Sequence, residues 1–228
     1  MFKRILILIV LILFIVALLP LVLNFHEATD LTGVAHKYVK DGPDDLGAPN
    51  LVTSIVVTYR GLDTLGEVTV LFLATAGVGF LLRQKKEKKK KKRASSEILQ
   101  TGTAFLFPII VLFGVYIFVH GHLTPGGGFQ GGVVIATAFL LLILSDANYH
   151  FNHTLLGLIE SLSGFIFVLL ALLGLLLLGQ GNFINTRYLP LGKFGDLFSA
   201  GAIPLIYSFI GLKVGSELIS ILDSMKKD

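Results

Sequence analysis

Apolar residues gather in six long runs, separated by short polar stretches. The runs cover about Ile5 to Leu23, Thr64 to Leu82, Thr103 to Val119, Gly127 to Ser145, Leu155 to Leu178 and Ala200 to Leu222. A hydrocarbon layer about 30 Å thick needs roughly 20 predominantly apolar helical residues to cross it. The pattern therefore predicts an all-α integral membrane protein with about six transmembrane helices, the fourth being the weakest of the six. The first run follows Lys3 and Arg4, as a secretory signal would. It is too long for a signal's apolar core and no small-residue cleavage pattern follows, so it reads as a retained span.

Composition narrows the class further. Of 228 residues, 54% are hydrophobic and 15% charged, with a mean hydropathy of +0.80, whereas soluble proteins carry roughly a quarter charged residues. Little chain is left for a separate water-soluble catalytic domain, so the chain reads as no enzyme by itself. It contains no cysteine, which excludes disulfides, thiolate metal sites, iron-sulfur ligation and a cysteine nucleophile. No cofactor is implied. The net charge of +4 is local, because nine of the 19 lysines and arginines lie between Arg83 and Arg93; it does not point to nucleic acid. Such a block repels itself and stays solvated, so it reads as a basic linker, 83–97, between a two-helix unit, 1–82, and a four-helix unit, 98–228. Contact with anionic lipid fits the same block. Placing the N-terminus inside puts thirteen basic residues on the cytoplasmic side against five outside, and makes both termini cytoplasmic. The stretch from Asn24 to Leu62, with Gly42-Pro43 and Asp44-Asp45, reads as a polar, turn-rich outer loop.

Ionisable groups inside a span cost on the order of 2.5–3.5 kcal/mol and tend to face other helices, water or a charge partner. Arg60, Asp63 and Glu67 fall at i, i+3 and i+7 and share one helical face. Arg60 and Asp63 can pair, while Glu67, a turn further in, has no local cation. It reads either as a carboxylate that exchanges protons or sodium, or as a buried acid bonded to a neighbouring subunit. Ala74, Thr75, Ala76, Gly77 and Gly79 beyond it supply a small surface for close helix packing. On the last span Lys213 and Glu217 are neighbours at i, i+4 within a Gly211-x-x-x-Gly215 frame. They form either a structural ion pair or a proton-loading lysine. Glu160, early in the fifth span, reads as interfacial.

Between the third and fourth spans runs His120-Gly-His-Leu-Thr-Pro-Gly-Gly-Gly-Phe-Gln-Gly-Gly132. Pro125, Gly126, Gly127, Gly128, Phe129, Gln130, Gly131 and Gly132 break the helix and free backbone groups that hydrocarbon cannot solvate. The segment must sit among headgroups or at the lip of a protein cavity, with the resumed helix aiming its amides there. It is no phosphate loop, since Val133 and not lysine follows Gly132. His120 and His122 lack a third ligand type and are a weak metal set; they read as loop histidines held by hydrogen bonds or as a proton relay. Gln130 is placed to bond the open backbone.

These residues resemble known families. Pro49 to Val70, with the RGxDTLGE element from Arg60 to Glu67, resembles the C-terminal end of the large A subunit of Mrp-type sodium/proton antiporters and the small E subunit of archaeal membrane-bound hydrogenases. His120 to Gly132 resembles the antiporter B subunit and the hydrogenase F subunit. The resemblance implies a cell-membrane subunit of a proton/sodium translocating complex, with Glu67 as an expected ion-path residue. Implied partners are antiporter-like large subunits, small membrane subunits and lipid, and, in a hydrogenase or sulfane-sulfur reductase setting, hydrogenase-like and iron-sulfur subunits. A free-standing antiporter is the close alternative, and a purely structural scaffold subunit a further one.

Overall fold

The computed structural model of the chain describes residues 2–23, 30–82, 95–146, 149–179 and 184–226. The basic block from Arg83 to Arg93, read as a linker, lies outside the described residues. Every described element is helical: α1 (Phe2–Leu23), α2 (Gly33–Leu46), α3 (Leu51–Val57), α4 (Gly61–Leu81), α5 (Glu97–Val119), α6 (Gly128–Ser145), α7 (His153–Leu178) and α8 (Ile203–Lys226), with a 3-10 turn at Thr186–Tyr188. Six of them, α1 and α4 to α8, are long and apolar enough to cross a membrane. The weak fourth run is helix α6, which is only 18 residues long.

By packing, the chain divides into Met1–Lys37 and Tyr38–Asp228. In the first unit α1 is exposed along its length, as an all-round apolar helix in lipid is. In the second, α8 is the central helix, and α4, α5, α6 and α7 all pack on it. Its Ile203, Ile206, Ile210 and Val214 meet Phe167 and Ala171 of α7 in a core that also takes in Val57 and Val68. Helices α4, α6 and α8 run the same way. Phe72 of α4 lies beside Lys213, and Gly128 and Gly132 of α6 lie against Ile210 and Val214 in step. Helix α7 returns antiparallel, so that Gly164 meets Lys213 and His153 lies 3.5 Å from Asp223. The glycine-rich break sits at the end where α4, α6 and α8 begin, the break end of the bundle.

Local chemistry sets the helix limits. The side chains of Asn50, Ser96 and Asn152 accept the N–H of Thr53, Leu99 and Leu155, capping α3, α5 and α7. Helix α7 stops at Gly179, whose φ of +60° suits glycine.

Much of the stretch expected to be a polar loop is helix instead. Gly42-Pro43 and Asp44-Asp45 lie in the last turns of α2, where proline forfeits one hydrogen bond near an end that is already fraying. Gly42 is a packing residue, since a Cβ there would meet Leu51 Cδ1 at 2.6 Å.

Candidate ion-path site

The site starts from one side chain at the foot of α3. Asn50 caps that helix and also reaches across to the glycine-rich break. Its backbone N–H donates to the His122 carbonyl at 2.9 Å, and its Nδ2 donates to the carbonyls of Gly121 at 2.9 Å and Thr124 at 2.7 Å. Three break carbonyls are thus satisfied by a single residue, which lets a non-helical segment persist beside apolar helices. The break folds back on α5 so closely that a Cβ at Gly126 would stand 2.8 Å from the Ile117 carbonyl. Gly127 sits at a φ of +144° with Gln130 Oε1 in the space its Cβ would need. Only glycine adopts both readily.

Between α3, α4, the break and α8 lies a cavity of about 510 Å³. Asn50 and Thr53 line it from α3, Thr64 and Glu67 from α4, Pro125, Gly126 and Gln130 from the break, and Tyr207 and Ile210 from α8. The Tyr207 hydroxyl donates to the Thr53 carbonyl, and Thr64 Oγ1 donates to the Val56 carbonyl at 2.8 Å. Among the described residues, Glu67 is the one charged side chain in the lining, and it is exposed at the chain's own surface. A carboxylate at the rim of a cavity floored by broken-helix backbone is suited to holding a cation or a proton together with water.

Other charged residues fall elsewhere. Arg60 and Asp63 form an exposed ion pair, 2.6 Å between Nη2 and Oδ2, and lie outside the cavity lining. Exposed pairs contribute about 0–1 kcal/mol. Lys213 Nζ lies 2.7 Å from Glu217 Oε1, with Glu217 fully buried. Glu160, read as interfacial, is half-buried on α7, one turn before the Gly164 that meets Lys213, and so stands level with Glu217. The two break histidines differ. The His120 ring stacks on Tyr116 at 4.2 Å and places Nδ1 3.1 Å from the Tyr116 carbonyl. His122 is wholly buried, and its ring nitrogens lie near backbone groups without a hydrogen bond of good geometry to any of them. Burial holds its pKa below the ordinary 6.5, and the nearby His120 pushes the same way; backbone groups of Asp196, Leu197 and Val119 act in the opposite sense. At the same end the Tyr59 hydroxyl donates to Asp45 Oδ2 at 2.7 Å. Burial first, then this carboxylate, lifts the phenol above its usual range.

Nothing in the run of charges along the sequence singles out Asn50, Thr53 or Tyr207. All three are neutral, and a search for charges in apolar runs passes over them. Asn50 does stand within the Pro49–Val70 motif, three residues before Thr53, which is an N-cap spacing.

The family described as the domain related to the MnhB subunit of Na+/H+ antiporters matches residues 98–220. The chain belongs to this MnhB-related family. Ahead of it, residues 3–97 match the MbhE family, the E-type subunit of MBH. Protein MJ1307 of Methanocaldococcus jannaschii is 30% identical to this MnhB-related chain over 82% of each sequence. A chain of the membrane-bound sulfane sulfur reductase, an archaeal respiratory membrane complex, superposes with a TM-score of 0.84 at 44% identity, covering 99% of this chain and 98% of that one. A chain of the Mrp complex from Dietzia sp. DQ12-45-1b shares the fold, with a TM-score of 0.76 at 23% identity, over 98% of this chain but only 26% of that one. The MnhB-related chain is a multi-pass membrane protein and a membrane subunit of an Mrp-type module.

Proposed function

We propose that the chain is a non-catalytic subunit that carries part of the Na+/H+ path in a respiratory membrane complex of the sulfane sulfur reductase or hydrogenase type. One observation carries this reading: a single cavity joins Glu67 to the broken backbone after Pro125. The two motifs are 58 residues apart in sequence and belong to different family matches, which meet at 97/98. In this reading units 1–82 and 98–228 are joined through 83–97, both termini are cytoplasmic, and the break end faces outward. Sister antiporter-like and small subunits, with lipid, cover the α4 side of Glu67. Asp63 and Arg60 stand at the mouth, His120 and His122 at the rim, and Lys213, Glu217 and Glu160 deeper in.

The test is Glu67→Gln in the assembled complex, reconstituted in vesicles. Sodium/proton exchange should disappear while native gels show intact assembly; undiminished exchange removes Glu67 from the path. The MnhB match also favours a free-standing antiporter as a second setting. Neighbouring genes decide between them, because a nickel-hydrogenase-like large subunit with iron-sulfur subunits marks a redox complex.

A further inference from the structure

The Glu67 cavity reaches Ile210 of α8, and Lys213 follows three residues on, about 4.5 Å further along the axis. Lys213, Glu217, Ser220 and Ser224 fall at i, i+4, i+7 and i+11 and form one stripe of α8. Three helices enclose the charged part of that stripe. Lys213 Nζ bonds Glu217 Oε1 at 2.7 Å. The lysine stem lies against Gly164 of α7, where a Cβ would come within 3.0 Å of Cδ. Its ammonium stands 5.3 Å from the centroid of the Phe72 ring of α4. Glu217 has no exposed surface, yet its Oε2 has no hydrogen-bond partner.

The groups facing Glu217 can be named element by element. From its own helix there is Lys213, and from α7 Glu160, half-buried and reaching the surface. Helix α4 meets the pair through the uncharged Phe72, whose ring lies against Lys213; α6 carries no titratable side chain, and no titratable group of α5 acts on Glu217. One ammonium therefore stands against two carboxyl groups in a region where unbalanced charge is costly. A single proton balances the set, and the bare Oε2 is an open position for it. An alkali cation is poorly served there, because hard cations take several oxygen ligands and the pair is walled by a ring face, a glycine and an alkyl stem.

We propose that Lys213, Glu217 and Glu160 form a second, proton-specific holding site beneath the Glu67 cavity. One proton binds at Glu217 Oε2, passes to and from Glu160, and is not replaced by sodium. The proposal deepens the translocation reading above and rests on it only for the water that delivers the proton. The serine hydroxyls continuing the stripe bond the carbonyls one turn back, Ser220 to Ser216 at 3.0 Å and Ser224 to Ser220 at 2.8 Å.

Infrared difference spectroscopy of the assembled complex in lipid, titrated from alkaline to acid pH, tests it. A protonated-carboxyl carbonyl band should grow on acidification, remain when choline replaces sodium, vanish in Glu217→Gln and shift in Glu160→Gln. A band untouched by both substitutions, or no band at all, overturns the proposal and leaves a static brace. A band that sodium abolishes overturns the proton specificity. Should Glu217→Gln fail to assemble, Glu160→Gln decides, since that side chain reaches the surface. Glu67→Gln should leave the band in place. Normal exchange in that variant together with an intact band would defeat the cavity reading and spare this one.

Discussion

Asn50 concentrates more of the site's architecture than any charged residue. Truncation to alanine removes the helix cap and leaves the carbonyls of Gly121 and Thr124 without their donor. A buried acceptor left unsatisfied costs about 1–3 kcal/mol. Asn50→Ala should therefore lower the thermal midpoint of the detergent-solubilised chain by several degrees. Asn50→Asp should fare no better, because it keeps the cap acceptor and loses the Nδ2 donor. His122 sets a second expectation through its buried ring. Its folded pKa lies below the unfolded 6.5, so the unfolded state binds the proton first. The stability this neutral ring contributes is fully present above 6.5 and falls as pH drops from there towards the folded value. The protection factors of the amides around Gly121–Thr124, with the intrinsic pH dependence of exchange divided out, should fall on acidification through that window, and His122→Phe should flatten the response.

At the scale of helices, glycine positions separate into those that touch and those that do not. A Cβ at Gly132 would meet the Gly211 carbonyl at 2.7 Å and the Gly215 nitrogen at 2.9 Å, both backbone atoms of α8. Gly132→Ala must push α6 off the central helix, and overpacking of that kind costs about 1–3 kcal/mol. Gly157→Ala, where nothing lies within 4 Å, should leave the melting temperature unchanged or raise it, since alanine favours helix. Thermal unfolding of the two variants in one detergent checks both directions. The same contrast explains what could be read from the chain. All six spans were legible, because a membrane demands long apolar runs whatever they pack against. So was each ionisable group within a span, because charge stands out there. Helices α2 and α3 were hidden by Gly42 and Pro43, which read as turn residues and are in fact accommodated by Leu51 and a helix end. The cavity was hidden too. Its lining comes from four separate segments, and its fastening is a neutral asparagine whose partners lie more than 70 residues away.

At the scale of the whole molecule, α4 keeps an exposed stripe among the described residues of its own unit. Gly66, Val70, Leu73 and Gly77 share a stripe at i, i+4, i+7 and i+11, and a Cβ at Gly66 or Gly77 would meet nothing within 4 Å. Glu67, beside that stripe, is exposed, and a bare carboxylate facing lipid would cost on the order of 2.5–3.5 kcal/mol. Small residues that serve no contact inside the chain, next to an acid that lipid cannot accept, make sense where a sister helix closes on α4. Gly77→Leu then separates folding from assembly. The isolated chain should keep its circular dichroism and its melting temperature, since the new side chain enters open space. In cells that express the partner subunits, native gels should show the variant missing from the complex or the complex reduced several-fold. Normal incorporation would mean that α4 faces lipid at that depth, and the cover over Glu67 would then have to come from the break end instead.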